Sequence, residues 1–342
     1  MWITVQTKAD LNDDGTVVRP ADPTREGYVF QGWYTDETFA TPFDFENTVV
    51  DNGLMMIYAK WQRMQTWADF NPVRPEGFVV DDAAGTISIS SPDGLGYLAS
   101  VVNGTAMDRP AATLAAGETL EGYKVILTQD IDLSGKEWTP IGSTTYDAAE
   151  ECCFQGVFDG HTISGLTLTD GALPYIGLFG RTAEAEIRDL TVTGLIEIEQ
   201  DIPNDTNTLQ YVGGVCGLNT NAILENVVSD VRIKVTAEDR AYSGSHLNVG
   251  GIVGRNHSGT VKSCVNLNDI TVTAKSSNMS QQFNIGGITG VNGRTRSTIV
   301  EINYGTSIVD GCVNKGAVTA ENIGTPWVGG VAGANYVLGT TK

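Results

Sequence analysis

From about residue 185 onward, apolar and polar positions alternate in short segments that return at a fixed spacing. Ile187, Leu224, Val261 and Val309 each stand three residues before a second apolar position, occupied by Leu190, Val227, Cys264 and Cys312. Six and eight residues further on come Ile196/Ile198, Ile233/Val235, Ile270/Val272 and Val318/Ala320, with Glu197, Lys234, Thr271 and Thr319 between them. A period of two residues predicts strands with one buried and one wetted face.

Ahead of these segments the chain writes a Gly-Gly block four times: Val212–Asn219, Val249–Asn256, Ile285–Asn292 and Val328–Asn335. A degenerate copy, Tyr175 to Gly180, extends the series. The last glycines (Gly180, Gly217, Gly254, Gly290, Gly333) recur at about 37 residues with one longer final step, a period that marks stacked repeats. One repeat cannot bury its apolar row alone, whereas stacked repeats set like residues on like about 4.8 Å apart. The reading is a mainly β fold, a parallel β-helix (a solenoid) with three short strands per turn around an aliphatic interior.

Three structural expectations follow from that register. Gly-Gly lets the backbone turn without a Cβ clash, and the block asparagines, tolerant of a left-handed backbone, should mark the corner. Asn219, Asn256, Asn292 and Asn335 should also bond to one another as a ladder. On the outer face, Glu197 should lie over Lys234 and Arg232 over Asp269, cross-strand pairs worth about 0.2–1 kcal/mol each. Before the repeats, residues 91–104 read as a helix with Ser91 as N-cap, Pro92 in the first turn and Gly104 closing the end, with Leu95, Leu98 and Val102 on one stripe. Its expected role is to cap the open strand edges of the stack.

Between cap and repeats lie Asp-Ile-Asp-Leu-Ser-Gly-Lys-Glu-Trp-Thr-Pro-Ile-Gly (residues 130–142), Phe-Asp-Gly-His-Thr-Ile-Ser-Gly-Leu (158–166) and Gly-Leu-Phe-Gly (177–180). With these motifs in this order, residues 85–342 resemble bacterial surface proteins that carry GLUG motifs. That resemblance implies a right-handed β-helix on secreted or surface-anchored proteins, some adhesin-like and some attached to immunoglobulin A peptidases. It brings no shared catalytic residues.

The first sixty residues follow another pattern. Pro23 to Asp36 (Pro-Thr-Arg-Glu-Gly-Tyr-Val-Phe-Gln-Gly-Trp-Tyr-Thr-Asp), then Phe43-Asp44-Phe45 and Tyr58-Ala59-Lys60-Trp61, resemble the Listeria–Bacteroides, internalin B-type, repeat over residues 1–62. The resemblance implies a small β-grasp-like domain that spaces or presents other modules on bacterial surfaces, with residues 63–84 left as a linker. So small a core needs aromatic filling, which Tyr28, Phe30, Trp33, Phe43, Phe45 and Trp61 can supply; an aromatic-lined sugar site is the other use of such residues. Asp10, Asn12 and Asp14, followed by Gly15, fit the first half of a calcium loop. The twelfth loop position, which should be a bidentate Glu, is Ala21, and a plain turn between strands explains the same residues. Calcium is thus the one metal option, and no other cofactor is expected.

Composition narrows the function classes. A net charge of −20 with a pI near 4.4 repels a phosphate backbone, so nucleic acid is not an expected partner. No run reaches the ~18–20 apolar residues of a membrane span, and the start lacks the basic and apolar regions of a signal peptide. The chain opens on a strand and stops at Lys342 soon after a fresh Gly-Gly block, which suggests an excerpt whose export signal and anchor lie elsewhere, on an extracellular or cell-surface protein. Of five cysteines, Cys264 and Cys312 share an interior register, Cys216 faces a corner strand, and Cys152-Cys153 are adjacent.

Three histidines (His161, His246, His257) occur without a triad order, a metal spacing or a phosphate loop, so catalytic residues are not assigned. Polar excursions leave the repeats at similar places: Asp201–Gln210, Ala237–Leu247, Ala274–Gln282 and the insertion Arg294–Gly305. Loops of this kind, one per turn, are where stacked repeats bind, and Tyr242, His246, Arg294 and Arg296 are the candidate contact residues. The expected function is an adhesin-like binding protein with a host surface protein or a glycan as partner. A polysaccharide lyase or glycoside hydrolase on the same scaffold is the alternative, and a stalk that binds nothing is a third.

Overall fold

The computed structural model describes residues 12, 15–23, 28–49, 56–63, 66–71, 73–108, 117–142, 152–201, 209–238, 245–276, 281–293, 306–336 and 339–341. The chain divides into two compact units, Met1–Met64 and Gln65–Lys342.

In the first unit, β1 (Tyr28–Tyr34) pairs antiparallel with β2 (Tyr58–Arg63), with a register shift between Phe30 and Gly32. Gly32 sits at φ +123°, a conformation that a side chain would resist. Trp33 and Phe43 are buried with Val17, and Phe30 and Phe45 pack against them. Phe30 meets Trp33 and Trp61 edge-on at 5.3 and 5.5 Å, and Phe43 meets Phe45 at 4.6 Å. The aromatic residues therefore form the core of this unit, as their spacing predicts; the side chain of Tyr28 lies outside the described residues.

The second unit is mainly β, with strands paired almost entirely in parallel. One pass of the chain runs Leu209–Gly213, Cys216–Thr220, Ile223–Glu225 and Val228–Ala237, each in a different sheet, and the next pass begins at His246–Gly250 beside the first of them. There are thus four strand segments per repeat where the sequence predicts three. The extra one arises because the Gly-Gly pair separates two strands: a Cβ on Gly213 would lie 2.1 Å from the Cys216 carbonyl oxygen, so the bend closes to backbone contact. Like residues pair with like. Ile187 faces Leu224, Leu224 faces Val261, and Val261 faces Val309, all four fully buried. Burial of each contributes about 1.5–3 kcal/mol.

The left-handed corners are not at the block asparagines, none of which has a positive φ. They are at Glu184, Asn221 and Ser258, and again at Asp189, Asn226, Ser263 and Gly311. Asn219, Asn256, Asn292 and Asn335 instead form the expected ladder. Each side-chain amide donates to the oxygen of the next, at 2.9, 2.9 and 3.0 Å, and the Thr182 hydroxyl donates to Asn219 at 2.8 Å to close the first step. The same amides reach the backbone carbonyls of Ala222 and Gly259, which satisfies groups that no water can reach.

On the outer face, Glu197 and Lys234 are in register and 3.2 Å apart. Arg232 and Asp269 form no ion pair; the Asp269 carboxylate accepts the Ala317 backbone N–H at 2.8 Å, a better-placed donor than a long side chain.

The helix expected over 91–104 is α2 (Pro92–Val102), capped by the Ser91 hydroxyl, which accepts the Gly94 N–H at 3.0 Å. It joins β4 (Thr86–Ile89) to β5 (Lys124–Leu127), a parallel pair. More than one stripe of it is buried, because residues 66–81, expected within a linker, pack around it as part of the second unit. Here α1 (Trp67–Phe70) is closed by a Thr66/Asp69 capping box, and β3 (Phe78–Asp81) pairs antiparallel with β4. The Trp67 indole N–H donates to the Leu133 carbonyl at 2.8 Å, and the Ser100 hydroxyl donates to Ala68 at 3.1 Å. An antiparallel strand at the rim ends the parallel pairing of its sheet, where an open edge would otherwise recruit other chains.

Candidate functional site

Of the residues singled out for binding, Tyr242, Arg294 and Arg296 lie outside the described residues, as do Asp10 and Asp14 of the calcium motif. Asn12 is in a turn closed by Gly15 (φ +81°), where its side-chain amide donates to the Thr16 hydroxyl at 2.9 Å. Among the described residues no group of three or more His, Cys, Asp or Glu side chains could hold a metal ion.

His246 is the candidate that the fold places in company. It opens the strand His246–Gly250, in register with Leu209 and Gln282. Leu247 and Val249 of that strand are fully buried on one face, so His246 and Asn248 belong to the opposite face, where His246 is half-buried and Asn248 is covered. Beside them runs a second row that the pairing fixes as Tyr175, Tyr211, Asn248, Asn284 and Trp327, in which Tyr211, Asn248 and Asn284 are buried. Across the Gly-Gly bend a third row reads Arg181, Leu218, Arg255, Val291 and Ala334.

At the early end of these rows the side chains meet. Tyr175 and Tyr211 stack with ring centroids 5.7 Å apart and planes within 9° of parallel. The Arg181 guanidinium lies over the Tyr175 ring at 5.2 Å, and that of Arg255 over Tyr211 at 5.9 Å. Arg255 also donates from Nη1 to the Tyr211 hydroxyl at 3.2 Å. Burial pushes the Tyr175 phenol up from its ordinary range, so it stays neutral. His246 is held below its ordinary value, first by burial and then by the Arg255 charge, so the imidazole is neutral near pH 7. The arrangement offers two oriented guanidinium groups, a neutral imidazole and an aromatic wall. Guanidinium groups suit hydrogen bonding to an anion, and an imidazole held neutral can both donate and accept a hydrogen bond.

At the other end the rows fill in differently. Asn284 donates to Asn248 at 2.7 Å, and Gln282 donates to the Tyr336 hydroxyl at 2.9 Å. This second amide pair was visible in the sequence as Asn-Val-Gly-Gly and Asn-Ile-Gly-Gly. The tyrosine row had the same signal, a Tyr two residues before the first glycine. Only the arginines across the bend lacked one, since their proximity to the tyrosines depends on how sharply the backbone folds.

Several outer carboxylates elsewhere pair with lysines: Glu225 with Lys262, and both Glu199 and Glu238 with Lys275; others, such as Asp189, Asp230 and Glu321, accept hydrogen bonds from Asn226, Asn268 and Thr273. The five cysteines are free thiols, and Cys312 Sγ accepts the Cys264 backbone N–H at 3.4 Å.

The Listeria-Bacteroides repeat domain matches residues 4–60. That repeat is typical of bacterial surface proteins. Two proteins of Evansella cellulosilytica share a short stretch of 46 residues: one named "Putative Gly-rich membrane protein", 41% identical, and one named "Putative membrane protein", 44% identical. The stretch is 14% of this chain and 5% and 7% of those proteins, so the chain spans a small fraction of their length. No solved structure matches the chain significantly. Among the described residues no helix is long and apolar enough to cross a membrane, which says nothing of a β-barrel.

Proposed function

We propose that this chain is the displayed part of a bacterial surface protein that binds a host surface protein or a glycan, in the manner of an adhesin. In this reading residues 85–342 form a right-handed parallel β-helix of the GLUG type, and the repeat domain at the start of the chain acts as a spacer. Support for the coil comes from strand pairing that advances by one repeat in every sheet, and right-handed crossovers are the rule for parallel connections. The observation that carries the binding reading is the part-exposed cluster of Tyr175, Arg181, Arg255 and His246 around the buried Tyr211 at the Gly-Gly bend. In the sequence, residues 202–208 and 239–244 immediately precede the strands that carry Tyr211 and His246.

Against the enzymatic alternative weigh the lysine-bound carboxylates of the outer face. A lyase or hydrolase would need acids free to meet substrate. The test is a glycan array on the purified chain, run beside reducing-sugar and lyase-absorbance assays on the same glycans. Retention without turnover, reduced on shortening residues 239–244, is the expected result. Turnover that one outer-face Asp or Glu substitution abolishes would replace the proposal with the enzymatic reading. Retention of nothing would leave a stalk.

A further inference from the structure

Neighbouring repeats carry Cys264 and Cys312 one beside the other. Their flanks pair in register, Lys262 with Asp310 before them and Val265 with Val313 after. Two backbone bonds hold the corner between, Ser263 N–H to Asp310 O and Val313 N–H to Cys264 O, each at 2.9 Å, so the register does not slip there. Parallel neighbours in register stand about 4.8 Å apart, within the ~4.4–6.8 Å Cα separation that a disulfide spans. Cys312 Sγ accepts the Cys264 backbone N–H at 3.4 Å, and the two thiols are hydrogen-bonded to each other. Their settings differ. Cys264 is fully buried, whereas Cys312 is partly exposed. The hydrogen bond from Cys264 holds the Cys312 thiol below its ordinary value against the effect of burial, while that bond and burial together push Cys264 up. A reachable thiol that ionises readily, backed by a buried one in contact with it, is the arrangement of a nucleophilic cysteine and its resolving partner. Cys216 stands apart from both, in another sheet and in register with Phe179 and Val253.

From this arrangement we infer that Cys264 and Cys312 form a dithiol modification site, which a small-molecule disulfide converts into a cross-link between two neighbouring repeats. The chemistry does not depend on the binding function proposed above. In the first exchange Cys312 releases its proton to water and its thiolate attacks one sulfur of the small disulfide, RSSR. A Cys312–SR bond forms, the RS–SR bond breaks, and the departing thiolate takes up a proton. In the second, Cys264 gives up its proton, attacks Cys312 Sγ and expels the other RS group, which leaves as a thiol. The protein thiols lose two electrons and two protons in all, and the small disulfide gains them as two RSH. The bond closes a loop from residue 264 to residue 312, which restricts the opened chain. It does so where the packing of the repeats thins. Val309 is fully buried, but Val313 is 47% exposed, and Val318, Ala320 and Val331 are only partly covered. Segments with less buried apolar surface open more readily, so the cross-link fastens the part of the stack that its own packing holds least.

The test is oxidation of the folded full chain with glutathione disulfide, followed by denaturation, alkylation of the remaining thiols and peptide mass mapping. The expected product is a peptide pair joined at Cys264–Cys312, two hydrogens lighter than the reduced pair, which dithiothreitol separates. Single variants assign the order of attack. Cys264→Ser should stop as a glutathione mixed disulfide on Cys312. In Cys312→Ser the buried Cys264 should label about tenfold or more slowly than Cys312 does in the parent. Hydrogen exchange reads the consequence: amides of residues 307–314 and 318–321 should exchange about tenfold or more slowly in the oxidised chain, and those of β4 and β5 at the same rate in both. Circular dichroism checks that the variants fold, and mapping of the parent decides by itself if one does not. Cys264 and Cys312 both still alkylated after oxidation, oxidation confined to Cys152 and Cys153, or a mixed disulfide that persists on Cys312 of the parent would overturn the inference. Exchange over 307–321 that ignores oxidation would do the same for the fastening role.

Discussion

Asn256 is the position where the ladder can be broken with the clearest consequence. Its amide nitrogen donates to Gly259 O at 2.9 Å, Asn292 Oδ1 at 2.9 Å and Ile308 O at 3.2 Å, and its oxygen accepts Asn219 Nδ2 at 2.9 Å. The side chain is fully buried, so water cannot replace these partners. At a net ~1 kcal/mol per bond, the loss of these four bonds in Asn256→Ala should cost about 3–4 kcal/mol. Asn256→Asp should cost more at pH 7, because a carboxylate would face three acceptors and donate to none. Its folded pKa must then rise. The unfolded chain releases the proton near pH 4, so the deficit deepens as pH increases from there and lessens as pH falls. Urea unfolding followed by circular dichroism at pH 4.5 and pH 7 measures both, and hydrogen exchange locates the loss. Amides of residues 253–262 should exchange faster while those of β4 and β5 do not, since repeats couple mainly to their neighbours. Asn335, exposed at the last step, should lose about 1 kcal/mol or less on the same change to Ala. The reasoning fails if Asn256→Ala unfolds within about 1 kcal/mol of the parent, or if Asn256→Asp matches Asn256→Ala at pH 7.

Steric closure at the bend gives a second contrast. A Cβ on Gly250 would lie 2.0 Å from Val253 O and 2.7 Å from Gly290 N, whereas Gly330 has nothing within 4 Å. Gly250→Ala should therefore cost more than about 3 kcal/mol and Gly330→Ala less than about 0.5, read as urea midpoints. For Glu197 and Lys234, a double-mutant cycle to Ala should return a coupling below about 1 kcal/mol that vanishes in 1 M salt; a larger, salt-resistant value would contradict their exposure. Burial pushes the Cys216 thiol up to about 12 from 9.0. In the unfolded chain that thiol loses its proton above pH 9, while the folded one keeps it. Stability is thus complete below pH 9 and falls by up to about 4 kcal/mol as pH climbs toward 12, at about 1.36 kcal/mol per pH unit. Cys216→Val should lack that component, so parent and variant unfolding curves compared at pH 8 and pH 11 must diverge; parallel behaviour would refute it.

Periodicity is local information, so what repeats in the chain was readable without coordinates. The buried column of Ile187, Leu224, Val261 and Val309 follows from spacing alone, because a stack that misaligned them would expose four aliphatic side chains. The asparagine ladder, the Glu197–Lys234 pair, the helix start at Ser91 and the aromatic core around Trp33 follow for similar reasons. The left-handed corners and the fourth strand segment of each repeat were missed because they depend on backbone geometry, and other failures depended on non-repeating contacts. Residues 66–81 show no repeat, and α2 buries both its faces only because Trp67 and Phe78 arrive from that stretch. Asp269 took the nearer Ala317 N–H over Arg232, a choice between donors that spacing cannot rank. The Arg181–Tyr175–Tyr211–Arg255 column was the least legible of all. Its two halves lie on different strands of each repeat, and they come together because glycines without a Cβ let the backbone close to contact at the bend.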